Sequence, residues 1–235
     1  EGQFRNRNDF KYVYSDTLNE VSSKMFHGCI NMKIAILPNI IEMVEYEFNL
    51  FETEGNLQNC FKLSKFYAPQ LVSVPSSCFE NCHGLKNIFL LNVKKISDRA
   101  FNCCQHLKRA VFPNLLVLES YAFNHCSQLE EFDAPQLESV KQSPFRKCNK
   151  LRFVNIIKRI NLRCSGECSE CFICRNKQKE TFARGKQLIK RPMVKFVGKM
   201  FNSWMHLDLK VEKLNRVQND RKLLAVELAG FLGQA

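Results

Sequence analysis

The chain has 235 residues, of which 45% are hydrophobic, so it is long enough for one large or two small folded domains. No apolar run reaches the roughly 18 to 20 residues that cross a bilayer, so the sequence predicts no transmembrane segment. A net charge of +12 points to acidic partners, nucleic acid or an anionic membrane surface, although much of the excess follows the repeats described next.

A repeat of 22 residues organises the chain. Each phenylalanine of the repeat is followed three places later by a cysteine and six places later by a leucine. The strongest copies place these residues at Phe79, Phe101, Phe123 and Phe145, at Cys82, Cys104, Cys126 and Cys148, and at Leu85, Leu107, Leu129 and Leu151. A unit that recurs at one period is typical of a solenoid, in which each repeat buries its apolar face against its neighbours.

The same register extends towards the N-terminus through Phe26 and Phe4. One nine-residue excess, at 49–57, is polar and is predicted to be a loop that bulges from one repeat, with Leu57 resuming the phenylalanine position. Because Glu1 already lies in the repeat register and no signal-peptide pattern precedes it, we expect the chain to be a fragment whose compartment is unknown.

Each repeat is predicted to contain a short strand, a turn, a second short extended segment and a helical turn. Prolines limit the first strand in four copies, because proline has no amide hydrogen for a continuing ladder: Pro38, Pro69, Pro113 and Pro135. The spacing of Phe-x-x-Cys-x-x-Leu points its three apolar side chains to one side of a helical turn. The predicted class is therefore α/β, a parallel strand ladder with short helical turns.

Side-chain volumes are exchanged between two inward strand positions. Ala110 is followed by Phe112, whereas Phe132 is followed by Ala134. Stacked repeats of nearly fixed spacing require such exchanges. The cysteine column is read in the same way, as reduced thiols that pack like small hydrophobic residues, with disulfides or chemistry as the alternative.

These columns carry a resemblance to a known family. The run Leu129-x-x-Phe132-x-Ala134-Pro135-x-Leu137-x-x-Val140, followed by Phe145-x-x-Cys148-x-x-Leu151, resembles the BspA-type leucine-rich repeat. The resemblance covers about residues 4–160, although the chain lacks the glycine that this class often carries before its Ala-Phe pair. It implies a curved parallel-strand solenoid of about seven repeats, without catalytic residues, and a role in cell-surface interaction or adhesion.

Outward positions of the predicted strands form columns, because neighbouring strands of a ladder lie about 4.8 Å apart. One column is apolar or aromatic and then becomes acidic, and a basic column beside it reverses sign at Glu130. Aromatic anchors inside a charged rim are typical of protein-recognition surfaces. The candidate partner-binding residues are Tyr67, Lys86, Phe89, Lys108, Arg109, Glu130 and Asp133. The alternative is that these residues only favour strands and keep the sheet soluble.

The repeat register ends after Ile160, and four cysteines follow it closely: Cys164, Cys168, Cys171 and Cys174. Three readings stay open, namely a metal site such as zinc, disulfides, and reduced cysteines that close the last repeat. In each reading residues 164–174 cap the solenoid, which spans 1–163. Residues 175–199 form a basic linker, and the apolar spacing of 200–235 predicts an amphipathic helical segment.

The sequence thus predicts a non-catalytic module that binds a protein or ligand through its strand face. The alternative is binding of nucleic acid or another acidic surface through the basic segment 175–199. Four of the five histidines lie near the cysteine column, on what we read as the exposed side of the helical turns: His27, His83, His106 and His125. No serine or carboxylate recurs with them, so no catalytic residue is predicted, and no cofactor is expected apart from the zinc alternative.

Overall fold

The computed structural model describes residues 3–44 and 55–156, which all belong to the first of two units into which the chain divides, Glu1–Leu188. These residues form short parallel strands separated by turns. The strands are β1 Tyr12–Tyr14, β2 Glu20–Val21, β3 Ile34–Ile36, β4 Glu42–Met43, β5 Lys65–Tyr67, β6 Ser73–Val74, β7 Asn87–Phe89, β8 Lys95–Ile96, β9 Arg109–Val111, β10 Val117–Leu118, β11 Glu131–Asp133, β12 Ser139–Val140 and β13 Phe153–Asn155.

The strands build two ladders, because alternate strands of the chain pair in parallel. Odd-numbered strands form the first ladder, as a three-stranded sheet from β1 to β5 and a four-stranded sheet from β7 to β13. Even-numbered strands form the second ladder, which is divided between β4 and β6. In the regular part, pairing advances by 22 residues, so Phe89 lies beside Val111 and Val111 beside Asp133. The predicted parallel-strand solenoid is confirmed, with about six turns.

A third ladder, which we call the turn ladder, connects the Phe-x-x-Cys-x-x-Leu segments. The backbone N–H of Phe101 donates to the carbonyl of Ala122 at 2.8 Å, and that of Cys103 donates to the carbonyl of Asn124 at 2.8 Å. Equivalent pairs of bonds join every described repeat to the next, including Phe26 to Asn56 and Leu57 to Cys78. Each repeat is called a rung below. Neighbouring rungs of the regular part are therefore tied along three separate lines, and the turn ladder also joins the rungs between which the strand ladders divide.

The prediction of helical turns, and with it the α/β class, is wrong for the described residues, which contain strands and turns but no helix. Bonds between residues three apart do form, such as Cys104 N–H to the Phe101 carbonyl. They cannot continue into a helix, because the amides of Phe101 and Cys103 are already bonded to the next rung. Cys103 also has a φ of 59°, in the left-handed region, which interrupts a right-handed helix.

The core consists of the repeated inward columns. Phe79 stacks on Phe101 with ring centroids 4.9 Å apart and an interplanar angle of 1°, and Phe101 stacks on Phe123 at 5.0 Å. The exchanged residues are also inside, since Phe112 and Phe132 are both buried and lie against this stack. The volume exchange therefore operates as the sequence predicted.

Several predictions fall outside the described residues. The cysteine cluster, the basic linker 175–199 and the helical segment 200–235 lie there entirely, as does most of the predicted loop 49–57. The end of that range is described: Asn56 and Leu57 are buried within a rung. Within the two described ranges, the structure contains no helix long and apolar enough to span a membrane. The domain boundaries stay predictions.

Candidate functional site

The outward face of the first ladder carries the residues predicted to bind a partner. Each strand has three residues, of which the middle one points into the core and the other two point outward. Tyr67 ends β5, Phe89 ends β7, Arg109 begins β9 and Asp133 ends β11, while Lys86, Lys108 and Glu130 immediately precede their strands. The structure therefore places all seven predicted residues along one face of the ladder.

The two predicted aromatic residues of this face, Tyr67 and Phe89, are half-buried. Tyr67 and Phe89 lie on adjacent strands, although β5 and β7 belong to different sheets. Two members of the same column, Ile36 and Val111, are buried rather than exposed, which corrects the expectation that they face solvent. Val111 pairs in register with Phe89 and Asp133. Its short side chain lies between these two longer ones, so only 2% of Val111 is exposed.

Acidic residues of the face are held by neighbours on the same face. The Arg109 Nε lies 3.0 Å from the Glu131 Oε2, and the Arg152 Nη2 lies 3.1 Å from the Glu130 Oε2. The Asp133 carboxylate accepts a hydrogen bond from Asn155 Nδ2 at 2.7 Å. Burial raises the pKa of Asp133, and the bond from Asn155 partly opposes that rise. Arginines thus compensate the charges of Glu130 and Glu131, whereas a neutral amide holds Asp133.

Lysines of the same face are in a different situation. Lys33, Lys86 and Lys108 are exposed and occupy one column, at the position just before or at the start of the strands. Among the described residues none of the three forms an ion pair. The uncompensated charge on this side of the molecule is therefore positive.

An open depression lies at the bend between the turn ladder and the first ladder. It has a volume of about 380 Å³ and is lined by Lys33, Phe61, Lys62, Ser64, His83, Gly84 and His106. We call it the bend depression. The Phe61 and His83 rings stack with centroids 5.3 Å apart and planes 15° from parallel, and Phe61 remains 42% exposed.

Glycine creates the floor of the bend depression. Lys62, Gly84 and His106 occupy the same position in three successive rungs, so a side chain is missing only in the middle one. The Gly84 N–H donates to the Phe61 carbonyl at 2.8 Å, and a Cβ on Gly84 would lie 2.7 Å from the Lys62 carbonyl carbon. The close approach of the two backbones therefore requires glycine here.

The sequence analysis missed this site, although its signal was present. Phe61 and His83 stand 22 residues apart, in the column directly after the cysteines, whereas the predicted partner-binding residues all lie on or next to the strands. The predicted exposure of the histidines was also partly wrong. Of the four histidines that the structure describes, His27 is buried, His83 and His125 are half-buried, and His106 is exposed.

The cysteine column has a structural role in addition to packing. The Cys104 thiol donates to the Phe79 carbonyl of the preceding rung at 3.1 Å, and Cys126 and Cys148 make the equivalent bonds. All six column cysteines are free and buried, and burial raises the pKa of the Cys104 thiol. Thiols in this state are poor nucleophiles.

No metal centre is present among residues 3–44 and 55–156, since no three histidine, cysteine or acidic side chains there are grouped to hold an ion. The proposed ligands Cys164, Cys168, Cys171 and Cys174 lie outside these ranges, so the three readings of that cluster stay open.

Comparison with known proteins identifies the repeat. The sequence model of the BspA type Leucine rich repeat region matches residues 53–171 in six copies. This range covers half of the chain and includes Tyr67, Phe89 and every residue that lines the bend depression except Lys33. No curated protein matches the chain in sequence.

Solved structures similar to the chain are leucine-rich repeat proteins of bacteria. A leucine rich cell surface protein from Faecalibacterium prausnitzii is 21% identical with a TM-score of 0.48, and the match covers 55% of this chain but only 32% of that protein. A leucine-rich repeat protein from T. pallidum is 18% identical, with a TM-score of 0.44 and coverages of 61% and 79%. A leucine-rich repeat protein from Bacteroides ovatus is 15% identical, with a TM-score of 0.39 and coverages of 70% and 59%. Similarities this distant carry no inference about function.

Proposed function

The chain belongs to the BspA type leucine-rich repeat family, and on that premise we propose that it is a non-catalytic module that binds a partner protein through the outward face of its first ladder. Leucine-rich repeats of this kind are protein-interaction modules. The residues proposed to contact the partner are those on the face described above: Tyr67, Lys86, Phe89, Lys108, Arg109, Glu130 and Asp133. Their role in binding is our proposal.

One observation carries this proposal. Half-buried aromatic side chains lie on a face whose acids are already held by Arg109, Arg152 and Asn155, while Lys86 and Lys108 on the same face have no acidic partner among the described residues. Rigid aromatic area supplies affinity at protein interfaces, and unpaired charge at the rim steers the partner and selects it. The parallel register holds these groups at fixed spacing.

The test is affinity capture from a nuclease-treated extract. The chain is compared with a variant that carries Tyr67→Ala, Phe89→Ala and Lys108→Glu. The matched control carries Val72→Ala and Lys94→Glu, which are exposed positions near the second ladder on the same rungs. We expect a protein that is recovered with the parent chain and the control but lost with the first variant. Equal recovery with all three chains would refute binding through this face.

The basic segment 175–199 favours a second candidate, the binding of nucleic acid or another acidic surface. Nine lysines and arginines stand there within 25 residues, at 175, 177, 179, 184, 186, 190, 191, 195 and 199. Binding to phosphates falls steeply as salt rises, whereas binding through aromatic anchors does not. Capture that nuclease abolishes, with a steep salt dependence, would therefore favour this second function over the first.

A location at the cell surface and a role in adhesion rest only on the family resemblance. We retain both as proposals. Labelling of intact cells that produce the full-length protein, with a reagent that cannot cross the membrane, would test the location directly.

A further inference from the structure

The bend depression is chemically distinct from the aromatic part of the first ladder. Every titratable side chain that lines it is basic: Lys33, Lys62, His83 and His106. The Lys62 Nζ donates to the Asn31 Oδ1 at 2.7 Å, and the His106 Nδ1 lies 2.8 Å from the His83 carbonyl oxygen, so Nδ1–H donates there. Neutral acceptors thus hold both side chains in place and leave the Lys62 ammonium without a compensating carboxylate among the described residues.

The lysine column extends this basic site along the ladder. Lys33 lines the bend depression. The same column continues in the following rungs with Ser64, Lys86 and Lys108. Successive rungs lie about 4.8 Å apart, so Lys33 and Lys108 are separated by about 14 Å. An extended peptide of four or five residues spans that distance. The basic residues therefore form a short strip that runs beside the depression, whose lining extends from Lys33 to His106.

We propose that the bend depression and its lysine strip bind an acidic segment of a partner protein, with one carboxylate held in the depression. This inference rests on the proposed function, because the strip borders the face assigned to protein binding. It adds the chemical class of the partner and a contact site that the sequence analysis did not identify. Each lysine can form a charge-assisted hydrogen bond to a carboxylate, which is stronger than a neutral one.

Charge at the Lys108 end of the strip favours a short acidic peptide over a long polyanion. The lysine column ends at Glu130, with Glu131 beside it and Asp133 at the end of the same strand. Arg152 and Arg109 are already paired with Glu130 and Glu131, so a nucleic acid or sulfated polysaccharide that continued along the ladder would find no further uncompensated positive charge on the described strands beyond Lys108. A protein segment needs only a few charged contacts and gains the rest of its affinity from the neighbouring aromatic residues.

Histidine protonation gives the bound state a recognisable signature. Burial lowers the pKa of His83, and the neighbouring His106 lowers it further. The other charged groups that line the depression, Lys33 and Lys62, are also positive, so the unbound site disfavours the imidazolium. A bound carboxylate favours it. Binding should therefore raise the pKa of His83 and strengthen as the pH falls towards 6, while glutamate side chains are still ionised.

The experiment is a titration of the ¹⁵N-labelled chain with two synthetic octapeptides, followed by NMR. One peptide contains four glutamates alternating with serine, and the other has glutamine in place of each glutamate. We expect the glutamate peptide to shift the amide signals of His83, Gly84 and His106 and to raise the pKa of His83. The glutamine peptide should leave these signals unchanged. Equal shifts with both peptides, or shifts confined to other parts of the chain, would overturn the inference.

Two double variants locate the binding charge. Lys33→Gln with Lys62→Gln should weaken binding of the glutamate peptide about threefold to thirtyfold, as expected for two exposed ion pairs. Lys94→Gln with Lys95→Gln removes two exposed lysines near the second ladder and should have no effect. A single-stranded oligonucleotide and a sulfated oligosaccharide are titrated in parallel. If either shifts the depression residues while the glutamate peptide does not, the acidic-peptide inference is overturned.

Capture of the natural partner separates this inference from the proposed function. A partner that is lost with Tyr67→Ala and Phe89→Ala but bound unchanged by Lys33→Gln with Lys62→Gln would refute the inference and support the function. A partner that is lost with both variants supports both. A partner retained by both variants would refute the proposed function and the inference that rests on it.

Discussion

The rungs from Phe79 to Leu151, which we call the regular region, differ from the rungs before them, the interrupted region, although both use the same columns. In the regular region the rings of Phe79, Phe101 and Phe123 stack at 4.9 and 5.0 Å. In the interrupted region the rings of Phe4 and Phe26 stack with centroids 5.4 Å apart and planes 19° from parallel. The next rung has Leu57 in place of the phenylalanine. Both strand ladders also divide in the interrupted region or at its border.

The turn ladder explains how the stack tolerates these interruptions. Its bonds continue where the strand ladders divide, since Gly28 donates to the Gln58 carbonyl and Asn59 donates to the Glu80 carbonyl, both at 2.9 Å. Asn56 adds a side-chain tie at the same place. The difference between the regions teaches that backbone bonds between turns preserve the register, whereas ring stacking strengthens the core where the repeat is exact.

The largest effect is expected from breaking the ring stack in the regular region. Phe101→Ala should lower the free energy of unfolding by about 3 to 5 kcal/mol, because it removes a fully buried ring that contacts rings on both sides. Chemical denaturation measures this change. Lys108→Glu, at an exposed position, should leave the melting temperature nearly unchanged. The opposite order of the two variants would show that inward and outward columns are misassigned.

A smaller loss is expected from breaking the side-chain tie in the interrupted region. The Asn56 Nδ2 lies within hydrogen-bond distance of the carbonyls of Val21, Ser22 and Val44, and only 2% of Asn56 is exposed. Asn56→Ala removes these side-chain bonds, although Val21 and Ser22 keep the backbone donors Val44 and Met25, and it should cost about 1 to 3 kcal/mol by chemical denaturation. Asn114→Ala is the control, because Asn114 makes one such bond at an exposed turn. A control as damaging as Asn56→Ala would contradict a special role for the tie.

Removal of a thiol tests whether the cysteine column couples neighbouring rungs. Cys104→Ala removes a buried sulfur and its bond to the Phe79 carbonyl, so we expect a loss of about 1 to 2 kcal/mol in the free energy of unfolding. The matched control is Cys103→Ala, at a half-buried position one residue away. If the two variants were equally stable, the thiol bond would have no measurable role.

The smallest effect concerns the outward face of the regular region. The pKa of Asp133 is raised by burial, so its ionised form destabilises the fold, and the stability that the protonated form provides is lost as the pH rises through the folded-state pKa. Asp133→Asn should therefore match the parent chain near pH 3 and equal or slightly exceed its stability near pH 7. Melting curves at the two pH values measure this. A variant that is less stable only at pH 7 would contradict the assigned cause.

Much of the fold follows from the sequence because the core columns are exact. Three features depend on packing, which the pattern of apolar residues indicates directly. They are the period of 22 residues, the inward phenylalanines and the exchange between Ala110 and Phe112. The helical turns were predicted wrongly because the spacing of Phe101, Cys104 and Leu107 does not show where their amides bond. The amides of Phe101 and Cys103 bond to carbonyls of the next rung, so the sequence of a single repeat does not show their partners.

The candidate site was less accessible from the sequence. Outward columns predicted which residues share a face, but not that Arg109 is held by Glu131 or that Val111 is covered by its neighbours. The bend depression was missed because it depends on an absence, the side chain that Gly84 lacks. The missing side chain creates a depression only because Lys62 and His106 lie on either side of Gly84 in the stack, and that neighbourhood is known only from the structure.

The turn ladder also has a consequence for how such proteins change over generations. The bonds of the turn ladder use only backbone groups. A rung can therefore form them with its neighbour whatever outward side chains it carries. Duplication of one 22-residue unit would lengthen the first ladder by one strand, about 4.8 Å, without redesign of the existing core. The binding face can thus be extended or rewritten one copy at a time, while the inward columns remain constant.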